Sequence, residues 1–143
     1  MKTIMTLHFT LEELCTTSTG LVNKPDFQSL VNLVYLCVYV LEPLREAMRQ
    51  PIKISSGYRS KAVNQAVGGV SNSQHQYGQA ADLFIDGDMK KGKCWFEWIR
   101  DHCDFDQLIW EHNAAGVYWV HVSFVHPAYG KNRKQVINNL LKK

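Results

Sequence analysis

The sequence predicts an α+β domain, a small mostly antiparallel sheet flanked by helices. Three observations predict it. One long segment repeats apolar residues at helical spacing. Several short runs alternate or are rich in β-forming residues. Helices and strands do not alternate strictly, as they would around a parallel sheet. The 143 residues carry no internal repeat, low-complexity tract or linker, so residues 1–143 are read as one domain.

The first helix opens at Thr10. Thr10 and Glu13 form a T-x-x-E capping box, and Phe9 and Leu14 stand at hydrophobic-staple positions. It is short, because residues 16–20 are loop chemistry. A second helix starts near Asp26, a capping residue after Pro25. Leu30, Leu33, Val34, Cys37, Val38 and Leu41 form its stripe, continued by Leu44 and Met48. Val31, Tyr35 and Tyr39 add apolar surface on other faces, which predicts a largely buried helix. Pro43 removes a backbone hydrogen bond and predicts a kink.

Residues 52–55 alternate as a short strand, Gly57 turns the chain, and residues 60–67 read as a short helix closed by Gly68 and Gly69. Residues 71–78 are polar loop, and 81–85 a strand ended by Asp86 and Gly87. Trp95, Trp98, Ile99 and Cys103 have helical spacing around 89–102. Residues 107–111 and 117–124 are β-rich, and the loop 112–116 joins them as a hairpin. Val136, Ile137, Leu140 and Leu141 share a stripe and predict a C-terminal helix.

Composition narrows the function classes. Hydrophobic residues make up 45% and charged residues 20%, which excludes a disordered chain, a collagen and a long coiled coil. A net charge of +3 is too small to argue a nucleic-acid partner. Cys15, Cys37, Cys94 and Cys103 form no C-x-x-C pair and read as reduced, mostly buried thiols, which suits a reducing compartment. Residues 1–8 lack the apolar core of a signal peptide. The apolar stretch 30–41 is interrupted by Asn32 and too short to span a bilayer. The expectation is a soluble protein with no transmembrane segment, made in the cytoplasm without an export signal.

Three candidate metal ligands stand out. His75 lies in a polar loop, Asp82 begins a strand, and His121 lies in the strand Trp119-Val120-His121-Val122-Ser123. Two imidazoles and one carboxylate suit Zn2+ and leave one coordination position open, the mark of a catalytic site. Gly78 permits a turn between them, and Ala80 and Ala81 allow close packing where the strand aims Asp82.

Residues 73–82 match S-x-H-x-x-G-x-A-x-D at every fixed position, after Ser56-Gly57-Tyr58-Arg59-Ser60 and before the His121 strand. This resembles the zinc D-Ala-D-Ala carboxypeptidase family, peptidoglycan peptidases that share a fold with the hedgehog signalling domain. The resemblance is greatest to small single-domain bacterial and phage members, and extends from Phe9 to about Phe124. It implies that His75, Asp82 and His121 are the zinc ligands. It implies that Arg59 steadies the scissile carbonyl oxygen as it becomes an oxyanion, a task suited to a permanently charged guanidinium. It places Ser73 near the substrate, as a donor to a carboxylate or peptide group.

The general base departs from the family pattern. Better-known members carry a carboxylate a few residues before the last histidine, where this chain has Tyr118, Trp119 and Val120. The nearest upstream acids are Glu111 and Asp106. If residue 111 pairs with 117 or 119, odd-numbered side chains share the face of His121, so Glu111 faces the metal and Asp106 faces away. Pairing 111 with 117 leaves Glu111 about 14 Å along the strand, out of reach. Pairing 111 with 119 makes it a diagonal neighbour of His121, roughly 7–8 Å between backbones. Glu111 in this second register is the predicted base.

The remaining features read plainly. His8, His102 and His112 are surface residues, and the four tryptophans belong to core or cleft wall. His126 is a surface residue that could also border the cleft mouth. Lys131, Arg133, Lys134, Lys142 and Lys143 form a solvated basic face, with weak attraction to anionic wall polymer or membrane as the functional counterpart. The functional expectation is zinc-dependent hydrolysis of a peptide bond in peptidoglycan stem peptides, as in a phage-type lysin released to the wall by another factor. The competing expectation is a zinc-stabilised wall-binding or virion structural module without turnover.

Overall fold

In the computed structural model, residues 2–139 are described. Two short strands, β1 (Ile4–Thr6) and β2 (Phe9–Thr10), pair ahead of α1 (Leu11–Leu14). Next, α2 (Phe27–Leu36) runs through a π turn (Cys37–Leu41) into α3 (Glu42–Met48). Then come β3 (Lys53–Ser56), α4 (Lys61–Ala66), a 3-10 turn (Gln74–Tyr77), β4 (Ala80–Phe84) and α5 (Met89–His102). The chain continues with β5 (Gln107–His112), β6 (Tyr118–Ser123) and β7 (Gln135–Asn138). The main sheet has the order β3-β4-β6-β5-β7 and is antiparallel except between β5 and β7.

The predicted caps at Thr10 and Asp26 form, and Ser60 caps α4 as well. Thr10 Oγ1 accepts from the Glu13 N–H at 3.2 Å, Asp26 from Ser29 at 2.8 Å and Ser60 from Val63 at 3.2 Å. Each satisfies a backbone donor that the first helical turn leaves without a partner. Pro43 produces a π turn upstream of itself. The Glu42 N–H donates five residues back, to the Cys37 carbonyl, and Pro43 then sits in the first turn of α3, where its missing N–H is tolerated.

Phe27–Met48 is long and apolar enough by composition to cross a membrane. Much of its stripe is instead core. Leu33, Cys37, Leu41 and Leu44 of the predicted stripe are buried with Leu36, Val40, Leu83, Val120, Val122, Trp95 and Ile99. Val38 and Tyr39, expected to be buried, are about half exposed, because the π turn shifts the buried face onto Leu36 and Val40. Strand parity divides the sheet. Leu108, Trp110, Val120 and Val122 face this core, while Ile109, Glu111, Trp119 and His121 line the opposite, open face. The described cysteines are all free, and burial pushes the thiols of Cys15 and Cys103 up to about 11, so they stay protonated at neutral pH.

One predicted element is wrong. Residues 135–138 form the edge strand β7, parallel to β5 with Ile137 opposite Ile109, and not a C-terminal helix. Val136 and Ile137 are β-branched and meet the open edge of β5, and the Asn139 N–H bonds the Trp110 carbonyl at 3.0 Å. Two apolar neighbours fit either periodicity, so the stripe with Leu140 and Leu141 carried too little information. Those leucines, with Lys142 and Lys143, lie outside the described residues. The basic helix therefore has no counterpart at 135–138. Arg133 and Lys134 precede a strand, and Lys134 Nζ lies over the Phe105 ring at 5.9 Å.

Candidate metal centre

The backbone brings the three predicted ligands to one point. Asp82 on β4 pairs directly with His121 on β6, which sets their side chains side by side on the open face. His75 arrives from the 3-10 turn, whose N-cap is Ser73, with the Ser73 Oγ accepting from the His75 N–H at 3.3 Å. Gly78 ends that turn at φ 70°, and a Cβ there would stand 2.3 Å from the Ser29 carbonyl oxygen, so only glycine fits. One ligand atom each from His75, Asp82 and His121 lies within 4.8 Å of the others.

The donor chemistry fits a cation. His75 Nδ1 lies 2.7 Å from the Gly57 carbonyl oxygen, which can only accept, so Nδ1 carries a proton and donates. That leaves Nε2 bare and facing Asp82 Oδ1 at 3.3 Å. Two acceptors are then opposed unless a proton or a metal ion stands between them. His121 Nδ1 approaches the same oxygen at 3.0 Å. Backbone anchoring of the outer ring nitrogen is the usual support of a metal-binding histidine. Burial pushes the Asp82 carboxyl up, but the two imidazoles facing it, His75 and His121, hold it well below the usual carboxylate range. A ligand set of two imidazoles and one carboxylate, with the His75, His121 and Asp82 side chains 4%, 14% and 9% exposed, suits zinc in a shielded pocket.

Gly57 is positioned by packing. A Cβ on it would meet the Leu14 carbonyl oxygen at 2.2 Å, and the next residue, Tyr58, donates its N–H to that same oxygen at 2.7 Å. Arg59 follows. Its Nε bonds Ser56 Oγ at 3.0 Å, Nη1 bonds Asn64 Oδ1 at 3.3 Å, and Nη2 bonds Asp82 Oδ2 at 3.3 Å. The structure thus places Arg59 beside the ligand carboxylate and ties each of its nitrogens to a protein group.

A cleft of about 600 Å³ opens over the three ligands, with Arg59, Ser73 and Glu111 in its walls. The hairpin takes the second register, with Glu111 opposite Trp119 and Ile109 opposite His121. Glu111 is therefore the diagonal neighbour of His121, and its Oε1 accepts from Asn139 Nδ2 at 3.1 Å. Asp106 is buried and engaged by Arg133 and Gln74, which removes it as a base. His126 packs against Tyr35, with ring centroids 4.0 Å apart, and is absent from the cleft wall.

A family model described as Peptidase M15 matches residues 7–123. The chain belongs to the peptidase M15 family. Within this family it is 49% identical over 47 residues to the zinc D-Ala-D-Ala carboxypeptidase of Streptomyces albus G. That stretch is 32% of this chain and 18% of the relative, so the chain spans well under two-thirds of that protein. The family match ends where β6 ends, so β7, Arg133 and Asn139 lie beyond it.

The sequence assigned Gln74, Gln107 and Arg133 no place in the cleft and put Trp119 in core or cleft wall without choosing. All four line the cleft. Gln74 adjoins a predicted ligand and Trp119 shares the parity of His121, so both were within reach of strand and loop reasoning. Arg133 was not, because its place depends on β7 and on the buried Asp106.

Proposed function

We propose that this M15 family member hydrolyses a peptide bond in peptidoglycan stem peptides, with Zn2+ held by His75, Asp82 and His121. The convergence of these three side chains on the cleft floor carries the reading, and the name of the Streptomyces relative supports the substrate class. Zinc, when bound, supplies a Lewis acid and lowers the pKa of water.

The chain's own residues have the following tasks. Glu111 takes a proton from the attacking water and returns it to the leaving amine. Asn139 holds one of its oxygens, which leaves the other for the proton. Arg59, steadied by Ser56 and Asn64, stabilises negative charge growing on the scissile oxygen. Ser73 donates to a substrate carboxylate or peptide group.

A second reading is a zinc-stabilised wall-binding or virion structural module without turnover. One observation favours it, namely that all three Arg59 nitrogens are already bonded within the protein. Digestion of defined peptidoglycan fragments, followed by mass spectrometry with zinc or chelator, separates the two. Chelator-sensitive products are expected, with Glu111→Gln lowering kcat by about 100- to 10,000-fold while zinc stays bound. Stoichiometric zinc without products would establish the binding module. The proposal extends to a phage-type lysin that reaches the wall after release by another factor. Clearing of a cell-wall suspension is expected, and secretion of the native protein with a removed leader would overturn that setting.

A further inference from the structure

Asp106, 2% exposed, lies behind the cleft and joins two residues of its wall, Gln74 and Arg133. Its Oδ2 accepts from Gln74 Nε2 at 2.9 Å and from Arg133 Nη2 at 2.8 Å. Its Oδ1 accepts from Arg133 Nε at 2.9 Å and from the Arg133 backbone N–H at 3.1 Å. A carboxylate only accepts, so the NH2 of Gln74 must face it and the amide oxygen must point elsewhere. That oxygen, Gln74 Oε1, is buried and has no partner among the described residues. Arg133 bonds Asp106 along the Nε–Nη2 edge of its guanidinium. Its side chain is 59% exposed and borders the same cleft, leaving Nη1 for a ligand.

A bare acceptor and an oriented cation therefore stand together, next to a metal ligand. Burying an acceptor without a partner is costly, and an arginine already locked on a buried acid loses little freedom on binding. One amino-acid residue offers the complement, an N–H and a free α-carboxylate separated by a single Cα. The opposite end of the cleft has the opposite need. Trp119 Nε1, two residues before His121 on β6, is a buried donor without a partner and suits a carbonyl oxygen. Asp106 lies at the other end of β6, where its N–H bonds the Ser123 carbonyl at 2.8 Å.

We propose that Gln74 and Arg133, oriented by Asp106, bind the residue on the leaving side of the scissile bond, Gln74 Oε1 accepting from its N–H and Arg133 Nη1 donating to its free α-carboxylate. The inference rests on the peptidase reading and narrows it. Two kinds of residue have this chemistry. One is the last residue of a peptide. The other is an acidic residue whose chain continues through its side chain. A residue followed by an ordinary peptide bond offers Arg133 only a neutral carbonyl.

The test uses three zinc-loaded assays on the full chain. The substrates are an acyl dipeptide with a free C-terminal carboxylate, its carboxamide, and a peptide whose leaving residue is a γ-linked glutamate with a free α-carboxylate. At least one free-carboxylate substrate should exceed the carboxamide by about tenfold or more in kcat/KM, chiefly through KM. Which one exceeds it identifies the source. Arg133→Lys keeps the charge but loses the fork, and should bring that ratio towards one, as should Arg133→Ala. Equal rates on acid and amide in the wild type would overturn the proposal. So would Arg133→Lys lowering both equally, as expected if Arg133 only props Asp106. If Arg133→Ala does not fold, the wild-type ratio and Arg133→Lys still decide. Calorimetry on zinc-loaded Glu111→Gln separates this inference from the peptidase reading. Selective binding of the free carboxylate without hydrolysis by the wild type supports the subsite and overturns the peptidase. Hydrolysis without selectivity does the reverse.

Discussion

Two buried aspartates, Asp82 in the lining of the cleft and Asp106 behind it, each have an arginine partner. Asp82 is 7% exposed and Asp106 2%. Around Asp106 the donors are complete, with contacts between 2.8 and 3.1 Å to Arg133 and Gln74. Around Asp82 the geometry is looser, with Arg59 and His75 at 3.3 Å and the bare Nε2 of His75 opposite a carboxylate oxygen. One carboxylate is satisfied by the protein alone. The other faces a bare acceptor across a point that a proton or a metal ion would fill. Burial by itself thus says little about role, whereas the balance of donors and acceptors around the buried group separates a structural acid from a ligand.

Breaking the Asp82 side gives the largest expected effect. Asp82→Ala should lower zinc affinity by more than about 100-fold, beyond the usual cost of losing a supporting partner, with peptidase activity lost in parallel. Metal analysis after dialysis checks this, and full zinc retention would show that Asp82 is not a ligand. Asp106→Asn should leave zinc in place and instead lower stability by about 1–3 kcal/mol at pH 7.

That stability effect has a defined pH dependence. Hydrogen bonds from Arg133, opposed by burial, hold the Asp106 carboxyl below its ordinary range. The folded state therefore favours the charged form. Its contribution is complete above the ordinary carboxylate value of about 4 and is lost as pH falls through the lowered folded value. Urea unfolding in chelator should show wild type and Asp106→Asn converging in acid. A difference that persisted or widened there would contradict the assignment. Asn139→Ala gives the smallest effect. It removes one exposed hydrogen bond to Glu111, so stability should change by less than about 1 kcal/mol and kcat by about two- to fivefold. An unchanged kcat would remove Asn139 as a positioning residue.

The comparison also marks how far the sequence could be read. The Asp82 side was legible because residues 73–82 match the family motif and Gly78 marks a turn. The structure adds that Ser73 caps the turn that carries His75 and that Asp82 pairs directly with His121. Glu111 was legible up to a choice between two registers, since both keep the same parity. The Asp106 side was not legible. It needs β7, and four apolar residues near the C-terminus fit a helix as well as a strand.

By itself the sequence determined the α+β class, the capped starts of α1 and α2 and the hairpin of β5 and β6, because these follow from short-range periodicity, capping and turn chemistry, while the expected ligand set came from the family motif. The tertiary structure decided the hairpin register, the parallel pairing of β7 with β5, and the hub at Asp106. These depend on an open strand edge and on buried hydrogen bonds between residues far apart in the chain, such as Gln74 and Asp106. Local propensity carries no information about such pairings, which form only where the packed core brings both partners to one place.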